Sequence, residues 1–118
     1  MSKALKNKKN KENISKIILS ILQKKGFNFT DLDIVIDTDL LTQRSGEAFK
    51  KYALNFKDKS GKEISLRPDL TIATAIQYIQ GKKKGTEKLS YFGSAFRLDK
   101  KRDLNVFDQI GCEIINSK

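Results

Sequence analysis

The sequence predicts a mixed α/β domain, an antiparallel sheet with helices packed against it, and three observations carry that prediction. Apolar residues recur at helical spacing twice, at Ile14, Ile17, Ile18, Ile21 and Leu22 and again at Ile72, Ala75, Ile76 and Ile79. Two short alternating runs, residues 52–57 and 63–67, flank Asp58-Lys59-Ser60-Gly61-Lys62 and read as a β-hairpin. Two longer strand segments follow at residues 89–98 and 106–115, joined by the charged stretch 99–105.

Taken in order, residues 1–12 read as a basic flexible tail and residues 13–118 as one domain. From Asn13 the first apolar stripe predicts an amphipathic helix with that stripe buried, stopped by Gly26. Phe27 and Phe29 lead into Asp33-Ile34-Val35-Ile36-Asp37, whose β-branched run predicts a strand. Leu40 and Leu41 begin a short turn or helical segment ending near Arg44-Ser45-Gly46-Glu47. The hairpin comes next, and Pro68 ends its ladder because proline has no N–H to donate. Asp69 or Thr71 then caps a helix closed by Gly81, with Ile72, Ala75, Ile76 and Ile79 facing inward. On the first long strand Tyr91, Gly93, Ala95, Arg97 and Asp99 share a face, and on the second Gln109, Gly111 and Glu113 do. If the faces coincide, the glycines leave a floor for a ligand, rimmed by arginine, glutamine and glutamate.

Composition narrows the chemistry. A chain of 118 residues is one domain or part of one. No apolar run approaches the ~18 residues of a membrane span. The single cysteine, Cys112, excludes an internal disulfide and fits a reducing, cytoplasmic setting. With no histidine, Ser-His and Cys-His catalysis are excluded, and one cysteine argues against a zinc site. The net charge of +10 is spread over three clusters: the N-terminal lysines, Lys82-Lys83-Lys84, and Lys100-Lys101-Arg102. None has the aromatic interleaving that stacks bases, so solvated lysine is favoured over a specific nucleic-acid surface.

The polar face suggests a site for a zwitterion. Guanidinium binds carboxylate or phosphate bidentately, and carboxylates such as Asp69 and Glu113 accept from an ammonium group. Gln109 both donates and accepts, which suits a polar side chain such as imidazole. The bland alternative is a half-exposed sheet face that alternates in the ordinary way.

Residues 34–41, Arg44-Ser45-Gly46-Glu47, the hairpin and Leu66-Arg67-Pro68-Asp69-Leu70-Thr71 resemble the first half of the histidyl-tRNA synthetase-like core. Tyr91-Phe92-Gly93-Ser94-Ala95-Phe96-Arg97 and Asp108-Gln109-Ile110-Gly111-Cys112-Glu113 resemble the second class II synthetase motif. The resemblance covers residues 14–117 and implies the class II synthetase α/β core. Family members continue into a third motif and an arginine-bearing histidine signature. The core is therefore expected to be incomplete at its C-terminus, an N-terminal portion.

Two features resemble the non-catalytic relative, the regulatory subunit of ATP phosphoribosyltransferase, more than the synthetase. Arg44-Ser45-Gly46-Glu47 followed by Leu66-Arg67-Pro68-Asp69-Leu70-Thr71-Ile72 matches the regulatory branch, where synthetases carry Arg-Pro-Glu-Gly-Thr. The connection after Arg97 also lacks the Arg-Tyr-Arg-type run by which synthetases grip ATP, and Leu104, Asn105 and Val106 stand there instead. That resemblance implies a subunit that is not itself an enzyme and needs no cofactor. Its implied partner is the short-form catalytic phosphoribosyltransferase, in a hetero-oligomer that also self-associates and serves the first step of histidine biosynthesis. L-histidine is the implied feedback effector, and Asp69, Leu70, Thr71, Arg97, Gln109 and Glu113 are the implied histidine-binding residues, with no catalytic or metal residue. Asp69 is one methylene shorter than the synthetases' glutamate. The alternatives are a portion of a histidyl-tRNA synthetase and a basic nucleic-acid-binding module on the same fold.

Overall fold

The first helix begins earlier than the sequence suggested. In the computed structural model, which describes residues 3–81 and 85–117, α1 spans Lys3–Lys24 and so includes most of the expected tail. Ala, Leu, Lys and Glu are good helix formers, and no glycine or proline interrupts the chain before Gly26. The helix ends there in a Schellman closure: Phe27 N–H donates to the Leu22 carbonyl and Gly26 N–H to that of Gln23, with Gly26 at φ 90°.

The remaining elements are β1 (Asn28–Phe29), β2 (Val35–Asp37), α2 (Thr38–Ser45), α3 (Glu47–Lys50), β3 (Asn55–Lys57), β4 (Glu63–Leu66), α4 (Leu70–Gln80), β5 (Gly85–Leu98) and β6 (Leu104–Ser117). They form two sheets. The smaller, in order β2-β4-β3, is antiparallel and contains the expected hairpin. In the larger, β5 and β6 make a continuous antiparallel ribbon from Gly85↔Ser117 to Leu98↔Leu104, and β1 lies parallel along β5. Both long strands exceed their expected lengths, because the ladder stays in register up to the turn at residues 99–103. The Lys82-Lys83-Lys84 cluster lies outside the described residues.

α4 packs on two sides, which is why its buried residues differ from the expected single stripe. Leu70 and Ala73 join Leu32, Tyr91 and Ala95 against the larger sheet. Ile76, with Ile72 beside it, joins Ile36, Leu41 and Ala53 against the smaller. Thr74 and Tyr78 are also buried, whereas Ile79 is exposed. The first stripe is a clearer correction. Ile14, Ile17 and Ile21 are 57%, 61% and 50% exposed, while Ser15 is buried and Leu19 and Leu22 are partly covered. The helix is turned so that positions spaced by four and three residues from Ser15 face the protein, leaving the isoleucines outward. Among the described residues, no helix is long and apolar enough to cross a membrane.

Arg67 ties the two sheets together. Its backbone N–H donates to the Ile34 carbonyl (2.9 Å), and its own carbonyl accepts from Phe96 N–H (3.0 Å). Its side chain is 6% exposed, with Nε donating to the Ser94 carbonyl and Nη1 to the Leu32 carbonyl, each at 2.7 Å. Burial pulls the guanidinium below its usual pKa, against the opposing fields of Asp31 and Asp33. It remains a cation at any physiological pH.

Candidate functional site

Pro68 stops β4, and the chain turns at once into α4, whose N-cap is Asp69. Asp69 Oδ1 accepts from Thr71 N–H at 2.7 Å, satisfying one of the free amides of the first turn. This corner lies over the β5–β6 face that carries Arg97, Gln109 and Glu113. The register places Gly93 opposite Gln109, Tyr91 opposite Gly111 and Leu89 opposite Glu113, so the three polar residues do share one face.

Hydrogen bonds fasten the corner to that face. Gln109 Oε1 accepts from Leu70 N–H at 2.8 Å, and Gln109 Nε2 donates to Asp69 Oδ1 at 3.3 Å. Arg97 Nε donates to the Pro68 carbonyl at 2.8 Å, and its Nη2 lies 3.6 Å from Asp69 Oδ2. The Arg97 guanidinium also lies over the rings of Phe107 (5.1 Å) and Phe49 (5.7 Å). At the other end, the Tyr91 hydroxyl donates to Glu113 Oε1 and meets Thr71 Oγ1, both at 3.0 Å. One connected polar chain therefore runs Arg97–Asp69–Gln109 and, through α4's first turn, on to Thr71–Tyr91–Glu113.

The site is elongated. Arg97 pairs with Asn105, eight positions along β6 from Glu113, roughly 26 Å of strand. A single amino acid covers only part of that length. Gln109 stands at the midpoint, with Glu113 and Thr71 on one side and Arg97 on the other.

One expectation needs correction, that of an open glycine floor, and two of the expected site residues are already engaged. Leu70 is fully buried in the core, and its backbone N–H donates to Gln109 Oε1. The glycines do not leave an empty floor. A Cβ on Gly93 would lie 2.5 Å from Arg67 Nη2, and one on Gly111 would lie 2.7 Å from the Tyr91 hydroxyl, so the chain's own side chains occupy both hollows. Finally, Asp69 is committed to capping α4 and holding Gln109, with Oδ2 turned toward Arg97.

Sequence reasoning put Tyr91 on this face and Arg67 in the neighbouring motif but gave neither a role in the site. The available signal was cross-strand: an aromatic facing a glycine in the neighbouring strand folds over it. Among the described residues, no group of three or more carboxylates or thiols is placed to hold a metal ion.

Beyond the site, β5 and β6 meet in a tight turn. Asp99 N–H donates to the Asp103 carbonyl, and Asp99 Oδ1 accepts from the N–H groups of Lys101 (2.9 Å) and Asp103 (3.0 Å). The Asp103 N–H bond leads the effects that lower the Asp99 pKa, with desolvation opposing and the Asn105, Lys101 and Arg102 hydrogen bonds adding to it. Arg102, at φ 68°, donates from Nη1 to the Lys51 carbonyl at 2.6 Å.

The family model described as histidyl-tRNA synthetase matches residues 4–118. A histidine–tRNA ligase of Methanococcus maripaludis is 32% identical over 114 residues, 93% of this chain and 27% of the ligase. One from Saccharolobus solfataricus is 32% identical over 99 residues, 80% of this chain and 23% of the ligase. The chain thus spans about a quarter of the length of these curated relatives. Among solved structures, a Bacillus halodurans protein described as an ATP phosphoribosyltransferase regulatory subunit/histidyl-tRNA synthetase superposes with a TM-score of 0.73 at 19% identity, a likeness of fold alone. It covers 90% of this chain and 28% of its own. The apo histidyl-tRNA synthetase of S. aureus gives 0.60 at 27% identity, covering 86% and 28%.

Proposed function

Because this chain belongs to the histidyl-tRNA synthetase family, we propose that it is the histidine-binding part of a non-catalytic relative, the regulatory subunit of ATP phosphoribosyltransferase. In this reading Thr71, Gln109 and Glu113 hold L-histidine, and Asp69 and Arg97 fix the corner that carries them. The protein works in the cytoplasm, in a hetero-oligomer with the short-form catalytic subunit.

One observation carries the reading. The polar face is internally bonded, and the segment after Arg97, where the family's ATP grip would lie, is a closed turn. Asp99 locks residues 99–103 from within, and Arg102, one of its cations, is drawn back to Lys51. No projecting loop remains between Leu98 and Leu104 to surround a triphosphate. Adenylate formation would then lack the preorganised cations that stabilise its phosphates.

The second reading, a portion of a histidine–tRNA ligase, is favoured by the names of the curated relatives at 30–32% identity. Reconstitution separates the two. The intact gene product mixed with a short-form catalytic phosphoribosyltransferase is expected to raise phosphoribosyl-ATP formation and make it inhibitable by histidine. Unchanged activity and unchanged histidine sensitivity would count against the regulatory assignment. Such control requires histidine to favour one of two states of the assembly.

A further inference from the structure

We propose that Tyr91 is the specificity-determining residue of the histidine site: its hydroxyl, lodged over Gly111, sets Thr71 and Glu113 as an acceptor pair that selects a ligand ring bearing an N–H. The inference rests on the histidine-binding reading above and adds to it a residue and a direction of hydrogen bonding.

The direction follows from a proton count. A phenol has one proton, and a carboxylate has none to give. With Tyr91 donating to Glu113 Oε1 at 3.0 Å, the 3.0 Å contact to Thr71 Oγ1 requires threonine to be the donor. Thr71 therefore spends its proton on Tyr91 and keeps only lone pairs for a ligand. Glu113 keeps Oε2. Both groups left facing the site accept, and neither donates. A ligand that brings N–H groups, an ammonium and a protonated ring nitrogen, is matched, while a ring without an N–H leaves Glu113 Oε2 without a donor from the ligand.

The chain is built to hold this arrangement. Tyr91 is 3% exposed and packs with Leu32, Leu70, Ala73 and Ala95, so its ring is fixed by the core. Its hydroxyl lies 2.7 Å from where a Cβ on residue 111 would stand. Burial foremost, with the Glu113 carboxylate helping and the Thr71 hydrogen bond opposing, raises the phenol above its usual value near 10. It therefore stays protonated and keeps donating through the physiological range.

The test is calorimetric titration of the intact gene product with L-histidine and with L-thienylalanine, which keeps the amino-acid head and a five-membered ring but has no ring N–H. Wild-type protein is expected to prefer histidine. In Tyr91→Phe, which keeps the ring packing, histidine affinity is expected to fall about tenfold while thienylalanine binding barely changes, so the preference collapses. Thr71→Val is expected to move the ratio in the same direction by less. A general loosening of structure would weaken both ligands alike, and that result would overturn the proposal. So would a Tyr91→Phe protein that retains the full preference. If wild-type protein takes up no histidine at all, the histidine-binding reading itself falls and carries the proposal with it.

Discussion

Replacing Arg67 by methionine is expected to destabilise the domain by about 3–5 kcal/mol, much of what a single domain of this size has in reserve. Methionine fills similar volume but leaves the Leu32 and Ser94 carbonyls, now bonded by Nη1 and Nε, without donors inside the protein. Arg67→Lys is expected to recover only part, because an ammonium lacks the planar fork that spans the Leu32 carbonyl in the β1–β2 loop and the Ser94 carbonyl on β5. The effect extends to the site, since Arg67 immediately precedes the Pro68–Asp69 corner and bonds to both sheets. Chemical denaturation followed by circular dichroism reads the change as a shift in midpoint. A midpoint within error of wild type would show that Arg67 does not join the sheets energetically.

Alanine at position 111 is expected to abolish most histidine binding while costing about 1–3 kcal/mol of stability through overpacking. Glycine within a strand ordinarily weakens it, so a Gly→Ala change there ordinarily gains roughly 0.5–1 kcal/mol. Here the sign reverses, because the new methyl meets the Tyr91 hydroxyl at 2.7 Å and its ring carbons at 3.0 and 3.2 Å. Tyr91 is held by the core and has little room to yield. Combining Gly111→Ala with Tyr91→Phe is expected to recover part of the stability but none of the histidine preference. If Gly111→Ala alone is as stable as wild type and binds histidine fully, the close approach of Tyr91 has no consequence.

Features governed by local chemistry were legible in the sequence. The Ser60-Gly61 hairpin, the Pro68 stop, the Asp69 cap and the parity within each long strand depend on neighbours in the chain, and the β5–β6 register then brings Arg97, Gln109 and Glu113 to one face. Features that depend on what packs where were not. The isoleucines of α1 have helical spacing, but which stripe turns inward is decided by the sheet it meets, and Ser15 rather than Ile14 or Ile17 faces it. Ile79 failed for a similar reason, since α4 serves two sheets and its covered surface is not one stripe. The misreading of Gly93 and Gly111 is the most instructive. Glycine in a strand signals that something approaches closely, and sequence alone does not say whether that is a ligand or the chain's own arginine and tyrosine.

The proposed function requires an amino-acid site without adenylation chemistry. Calorimetric titration of histidine, with histidine-dependent ATP–pyrophosphate exchange followed in the same preparation, tests both halves together. Saturable histidine binding with exchange no higher than a no-enzyme control is the predicted result. Exchange that rises with histidine concentration would contradict it, and would identify the protein as a working synthetase.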